Sequence, residues 1–120
     1  MAQREDPVWE AFDLEELGAR REESGLPWLP FLDVATMNAG LYVLAAGGED
    51  AQRPHELDEL YYVVSGRATM QIEGDTLKVG PGGLIYVRAR AAHRFHSIEE
   101  DLQVLVFFSI RERSEVSQVE

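Results

Sequence analysis

Arg53-Pro54-His55-Glu56-Leu57-Asp58-Glu59-Leu60-Tyr61-Tyr62-Val63-Val64-Ser65-Gly66 is the stretch whose reading decides the fold. It holds one of only 3 histidines in the chain, and His93 follows about thirty residues later. Residues four apart in an extended chain point to one face, so His55 and Glu59 look to the same side. Two imidazoles and one carboxylate with open positions form the facial arrangement that suits Fe(II) and related divalent ions.

The spacing around this stretch resembles the first motif of the cupin superfamily, which runs Gly, five residues, His-x-His, three or four residues, Glu, six residues, Gly. Here Gly47 is followed by five residues, Arg53 in place of the first histidine, His55, three residues, Glu59, six residues and Gly66. The second cupin motif reads Gly, five residues, Pro-x-Gly, two residues, His, three residues, Asn. In this chain Gly82 and His93 match it, while Arg88, Arg90 and Ser97 stand at the Pro, Gly and Asn positions.

The resemblance covers residues from about 38 to 110. It implies an all-β fold, a double-stranded β-helix or jelly-roll cupin barrel of six to eight strands. Carried over by position, His55, Glu59 and His93 are the expected ligands of one divalent ion, with Fe, Mn, Ni and Zn all compatible. Arg53 stands where the fourth ligand would be, and a guanidinium has no lone pair to offer a metal. Gln52 supplies an oxygen only if the strand bulges; otherwise the vacancy belongs to water or to a substrate.

An inward Arg53 close to a divalent cation is unfavourable unless an anion sits between them. The expected ligand is therefore a small molecule carrying a carboxylate or similar anion, held by a fork of hydrogen bonds from Arg53. Tyr61 shares the face of Glu59 and offers a hydroxyl to the same pocket. Arg88, Arg90 and Arg94 read equally as an anion-attracting rim, with Arg88 a ligand-binding candidate, or as balance for an acidic surface. By parity with Phe95, His93 points inward and His96 outward.

Residues 1–27 read as an N-terminal extension with a short helix, 28–112 as the barrel and 113–120 as a loose polar tail. The helix spans 13 to 24, with Asp13 as cap, Glu16 in the capping-box position and Gly25 with Pro27 as the stop. From Trp28 to Ala46 two strands flank a turn near Asn38. Leu60 to Val64 is a strand, Ser65-Gly66 a turn, and Ala68, Met70 and Ile72 mark the buried face of the next strand. Gly74-Asp75 makes a hairpin turn. Gly80-Pro81-Gly82-Gly83 is a loop before the strand 84–87, and the apolar run from Leu102 to Ile110 suits a strand covered on both sides.

At 120 residues the chain has room for one domain. Its 22 acidic against 11 basic residues give a formal charge of −11, which repels phosphate backbones and anionic membranes and argues against nucleic acid or membrane as partner. Cysteine is absent, so disulfides, thiolate nucleophiles and Cys-zinc sites are excluded. No apolar run approaches a membrane span and the first residues lack a secretory pattern, so a cytoplasmic location is expected. Trp28, Phe31 and the strand 102–110 carry more apolar surface than one small barrel covers, which points to a homodimer.

The sequence supports two functions of different class. One is a metal-binding cupin, with oxygenase, isomerase or lyase chemistry open to it. The other is a non-catalytic module that holds a metabolite or sugar in the barrel, with or without metal. A third possibility is a metal-free barrel in which Arg53 pairs with Glu59 and the site is structural.

Overall fold

The computed structural model describes residues 5–51 and 54–109. One helix, α1 (Leu14–Ser24), precedes six strands: β1 (Trp28–Val34), β2 (Met37–Leu44), β3 (Glu59–Ile72), β4 (Asp75–Val79), β5 (Leu84–Val87) and β6 (His93–Ser109). All pairings are antiparallel, in the order β1-β2-β6-β3-β4, and β5 pairs with the first half of β3.

The two long strands explain how one sheet closes into a barrel. Along β3 the buried positions are Glu59, Tyr61 and Val63, and then Gly66, Ala68 and Met70. Along β6 they are His93 and Phe95, and then Ile98, Leu102, Val104 and Val106. Each strand changes parity partway, where its register with the other shifts between Val63 and Thr69. Gly66 there has φ 92° and Ser97 has φ 49°. A β-carbon on Gly66 would overlap the Asp101 carbonyl oxygen, so only glycine lets the strands approach this closely. Ser65-Gly66 is therefore an irregularity inside one bent strand, and the turn expected there does not form. The result is the jelly-roll barrel, with β3 and β6 running through both of its halves.

Other local expectations shift for identifiable reasons. The β1–β2 hairpin turns at Ala35-Thr36, ahead of Asn38-Ala39-Gly40, which lies inside β2. Gly40 serves a different purpose, because the Trp28 ring occupies the space a side chain would need. The β3–β4 hairpin turns at Glu73-Gly74, with Glu73 at φ 54°. Asp13 stands at the N-cap of α1 in extended conformation, but its side chain makes no capping hydrogen bond. Gly25 ends the helix as expected, with φ 73° and its N–H donated to the Arg21 and Glu22 carbonyls.

The main core lies inside the barrel and includes Tyr61, Met70, Phe95, Leu102 and Val104. Helix α1 covers the outer side of β1 and β2, where Leu17, Ala39 and Leu41 are buried apart from that core. The outer side of β6 is less covered, since Leu105 and Phe107 remain half-buried. The expectation of a strand buried on both faces holds only for its inner side. Ile110 and the tail 113–120 lie outside the described residues.

Candidate metal centre

Glu59 is the first residue of β3 and points into the barrel between Val87 of β5 and Phe108 of β6. A buried carboxylate is costly unless it is paired and hydrogen-bonded. Its Oε2 lies 2.9 Å from His93 Nε2, and its Oε1 accepts from the Tyr61 hydroxyl at 3.1 Å. Oε1 is also 3.6 Å from His55 Nε2. The Tyr61 hydroxyl stands 3.0 Å from His93 Nε2, so Tyr61, Glu59 and His93 form one closed polar cluster in an apolar interior.

His93 has a defined orientation. Its Nδ1 lies 2.8 Å from the Ala91 carbonyl, which can only accept, so Nδ1 carries a proton and Nε2 faces the cluster. Burial lowers the imidazole pKa, but the Glu59 hydrogen bond, the Ala91 carbonyl and the charges of Glu59 and Asp50 outweigh it and raise the pKa above its ordinary value.

His55 reaches Glu59 from a loop that bends at Glu56-Leu57, so extended-strand parity is not what aligns them. The loop is clipped to the turn ahead of β6. Arg90 N–H donates to the His55 carbonyl at 2.7 Å, Ala89 N–H donates to Asp58 Oδ1 at 2.9 Å, and Arg90 Nε meets Glu56 Oε2 at 2.8 Å. The segment bearing His55 and the segment bearing His93 thus hold each other in place. The two imidazole rings are 6.2 Å apart, and Phe108 packs edge-on against His55 at 5.0 Å.

Asp50 and Asp58 are site-building residues that sequence reasoning missed. Asp50 accepts from the Phe95 N–H at 2.9 Å and from the Tyr42 hydroxyl at 2.7 Å; burial, with that bond and the Asp50 charge, pushes the Tyr42 pKa well up. Both aspartates act across more than thirty residues of sequence, so no local pattern marks them.

Not every sequence candidate joins the cluster. Arg88 is exposed just past the end of β5, where Val87 takes the inward position, and it does not line the pocket beside His55. Arg90 is occupied at the surface by Glu56, and Arg94 is exposed, which favours charge balance over an anion-binding rim. His96 bonds to the Ser97 hydroxyl on the outer side, as its parity indicates. Arg53 and Gln52 lie outside the described residues.

Two imidazole Nε2 atoms approach the Glu59 carboxylate, at 2.9 Å for His93 and 3.6 Å for His55, and these are side-chain types that ligate divalent ions. Among the described residues no three His, Cys, Asp or Glu side chains are grouped so as to hold a metal ion.

Beside His55 the barrel opens into a pocket of about 520 Å³ that Phe108 also lines. The described residues contain no helix long and apolar enough to cross a membrane.

The cupin domain family matches residues 40–109, and the chain belongs to that family. An uncharacterised protein of Streptomyces coelicolor is 50% identical over 99 residues, which cover 82% of this chain and 94% of that protein. The structure of TT1209 from Thermus thermophilus superposes with a TM-score of 0.70 at 24% identity, covering 84% of this chain and 97% of that one. The DMSP lyase DddQ of Ruegeria pomeroyi superposes with a TM-score of 0.62 at 17% identity, covering 69% of this chain and 47% of that one. Identities this low carry the fold alone.

Proposed function

We propose that the protein is a metal-binding cupin that holds one divalent ion through neutral His55 and His93 and ionised Glu59, with a small ligand in the adjoining pocket. The observation that carries this reading is the convergence of both imidazole Nε2 atoms on the buried Glu59 carboxylate. When bound, the ion supplies a Lewis acid able to polarise a ligand carbonyl or carboxylate, the basis for oxygenase, isomerase or lyase chemistry on this fold. The Tyr61 hydroxyl holds Glu59 Oε1 in position, and the Ala91 carbonyl holds the His93 ring. Arg53 remains the proposed anchor for an anionic group, from its place in the sequence. Titrating chelator-treated protein with Fe(II), Mn(II), Ni(II) and Zn(II) by calorimetry tests the ion; one site per chain supports the reading, and no heat with any of the four contradicts it.

A second reading has its own support. Both Glu59 oxygens already have partners, and among the described residues no buried side-chain polar atom lacks one, so the cluster is also complete as a metal-free ion pair. In that case the barrel is a binding module whose Glu59–His93 pair is structural. The same titration separates the two.

For assembly we propose a homodimer through the outer face of β5, β3 and β6. Trp28 and Phe31, expected at the interface, are used within the chain: Trp28 packs against Tyr42 and Phe108, and Phe31 against Phe12. Val8, Trp9 and Leu26 are exposed outside the sheet, and on the sheet Leu60, Tyr62, Leu84 and Tyr86 are 40%, 38%, 67% and 56% exposed. Leu60 pairs with Tyr86 and Phe107, and Tyr62 with Leu84 and Leu105, so the six side chains form one patch. The four most exposed leave on the order of 400 Å² of apolar surface open, the scale of an interface core. None of the six is charged in a chain of net charge −11, so a second copy meets its least repulsive surface here.

A further inference from the structure

The direction of the His93 ring is set through a single peptide group. Its Nδ1–H donates to the Ala91 carbonyl at 2.8 Å. That carbonyl belongs to the same peptide unit as the Ala92 N–H, which donates to Glu73 Oε2 at 2.6 Å. A trans peptide is planar, with its C=O and N–H pointing opposite ways, so an acceptor that fixes one end fixes the other. The Ala92 carbonyl is held too, because it accepts from the Glu73 N–H at 2.8 Å. Glu73 therefore grips Ala92 on both sides, next to the pairing of Ile72 with His93. The β3–β4 turn by itself would favour another residue here. Glu73 has φ 54°, a region that side chains with a β-carbon rarely enter, while Gly74 beside it does not take a positive φ. Backbone strain of this kind persists where the residue has another task.

We propose that Glu73 is a positioning residue for His93. From the exposed β3–β4 turn, and through the Ala91–Ala92 peptide group, its carboxylate holds the imidazole with Nδ1–H on the carbonyl and Nε2 toward Glu59 and Tyr61. A carboxylate that accepts from an amide N–H also makes the carbonyl of that amide a stronger acceptor, since hydrogen bonds in series polarise one another. Asp50 holds the Phe95 N–H in the same way at 2.9 Å, so His93 lies between two amides held by carboxylates. Of the two, the Glu73 bond is the one made to the peptide whose oxygen meets the ring. The inference rests on the place of His93 in the site proposed above, and it needs no bound ion.

Proton NMR of chelator-treated protein at about pH 6, where an imidazole carries both of its protons, tests this. The His93 Nδ1–H resonance, assigned by its loss in His93→Gln, should exchange slowly with water in wild type and in Glu73→Gln, whose amide oxygen keeps the acceptor. In Glu73→Ala and Glu73→Gly it should exchange at least about ten-fold faster, the factor for losing a hydrogen bond to a charged group. Stability separates positioning from a turn effect. Glycine suits the positive φ, so Glu73→Gly should melt at a higher temperature than Glu73→Ala, while both loosen the ring alike. Wild-type exchange in Glu73→Gly, or exchange that simply follows melting temperature across wild type and the three Glu73 variants, would overturn the inference. Metal loading is a separate measurement: its failure would overturn the proposed function, and fast Nδ1–H exchange confined to Glu73→Ala and Glu73→Gly would still support the positioning role.

Discussion

His93 Nε2 lies 2.9 Å from Glu59 Oε2 inside the barrel, and this pair gives the site its pH dependence. The His93 pKa is raised in the folded protein. In metal-free protein the pair therefore contributes stability that is full below the unfolded imidazole value, about 6.5, and is lost as pH rises through the folded value. Thermal melts of chelator-treated protein between about pH 6 and 9 should show a falling melting temperature. The trend should vanish in His93→Gln, and a wild-type curve flat over this range would show that His93 does not keep its proton.

Metal binding must displace that proton, so affinity should change with pH in the opposite sense. Zinc affinity is expected to rise as pH increases through the folded His93 value, measured by competition with a chelator of known affinity. A pH-independent affinity would remove His93 from the ligand set.

Gly66 is the position where β3 can pass the Asp101–Leu102 backbone. Gly66→Ala combines a positive φ with a backbone overlap and should cost about 3 kcal/mol in urea unfolding. A loss under about 0.5 kcal/mol would mean that the strands separate there without penalty.

Light scattering at micromolar concentration should give twice the chain mass, and the double substitution Leu84→Glu, Tyr86→Glu should give the single mass with the melting temperature of the diluted wild type. A monomeric wild type would show that the patch on β3, β5 and β6 has no second copy on it.

The barrel and its inward cluster are legible in the sequence because a jelly roll repeats a simple alternation and because the cupin spacing ties His55, Glu59 and His93 to known places in it. What is not legible depends on contacts distant in sequence. Ser65-Gly66 has turn composition, yet Gly66 is needed for the approach of β6, and Asn38-Ala39-Gly40 looks like a turn although Gly40 is there for the Trp28 ring. Strand periodicity predicts the alignment of His55 with Glu59, whereas the loop is set by Arg90 and Ala89 donating across from the next motif. Motif spacing marks Arg88, whereas it is its neighbour Val87 that stands opposite Glu59.

The most direct test of the account is the metal content of untagged protein purified without chelator, beside His55→Ala, Glu59→Ala and His93→Ala. Elemental analysis should find about one divalent ion per chain in wild type and below about a tenth of that in each variant, with all four proteins folded by circular dichroism. Equal metal content in wild type and all three variants, or none in any of them after growth with added Fe, Mn, Ni and Zn, would contradict the metal centre.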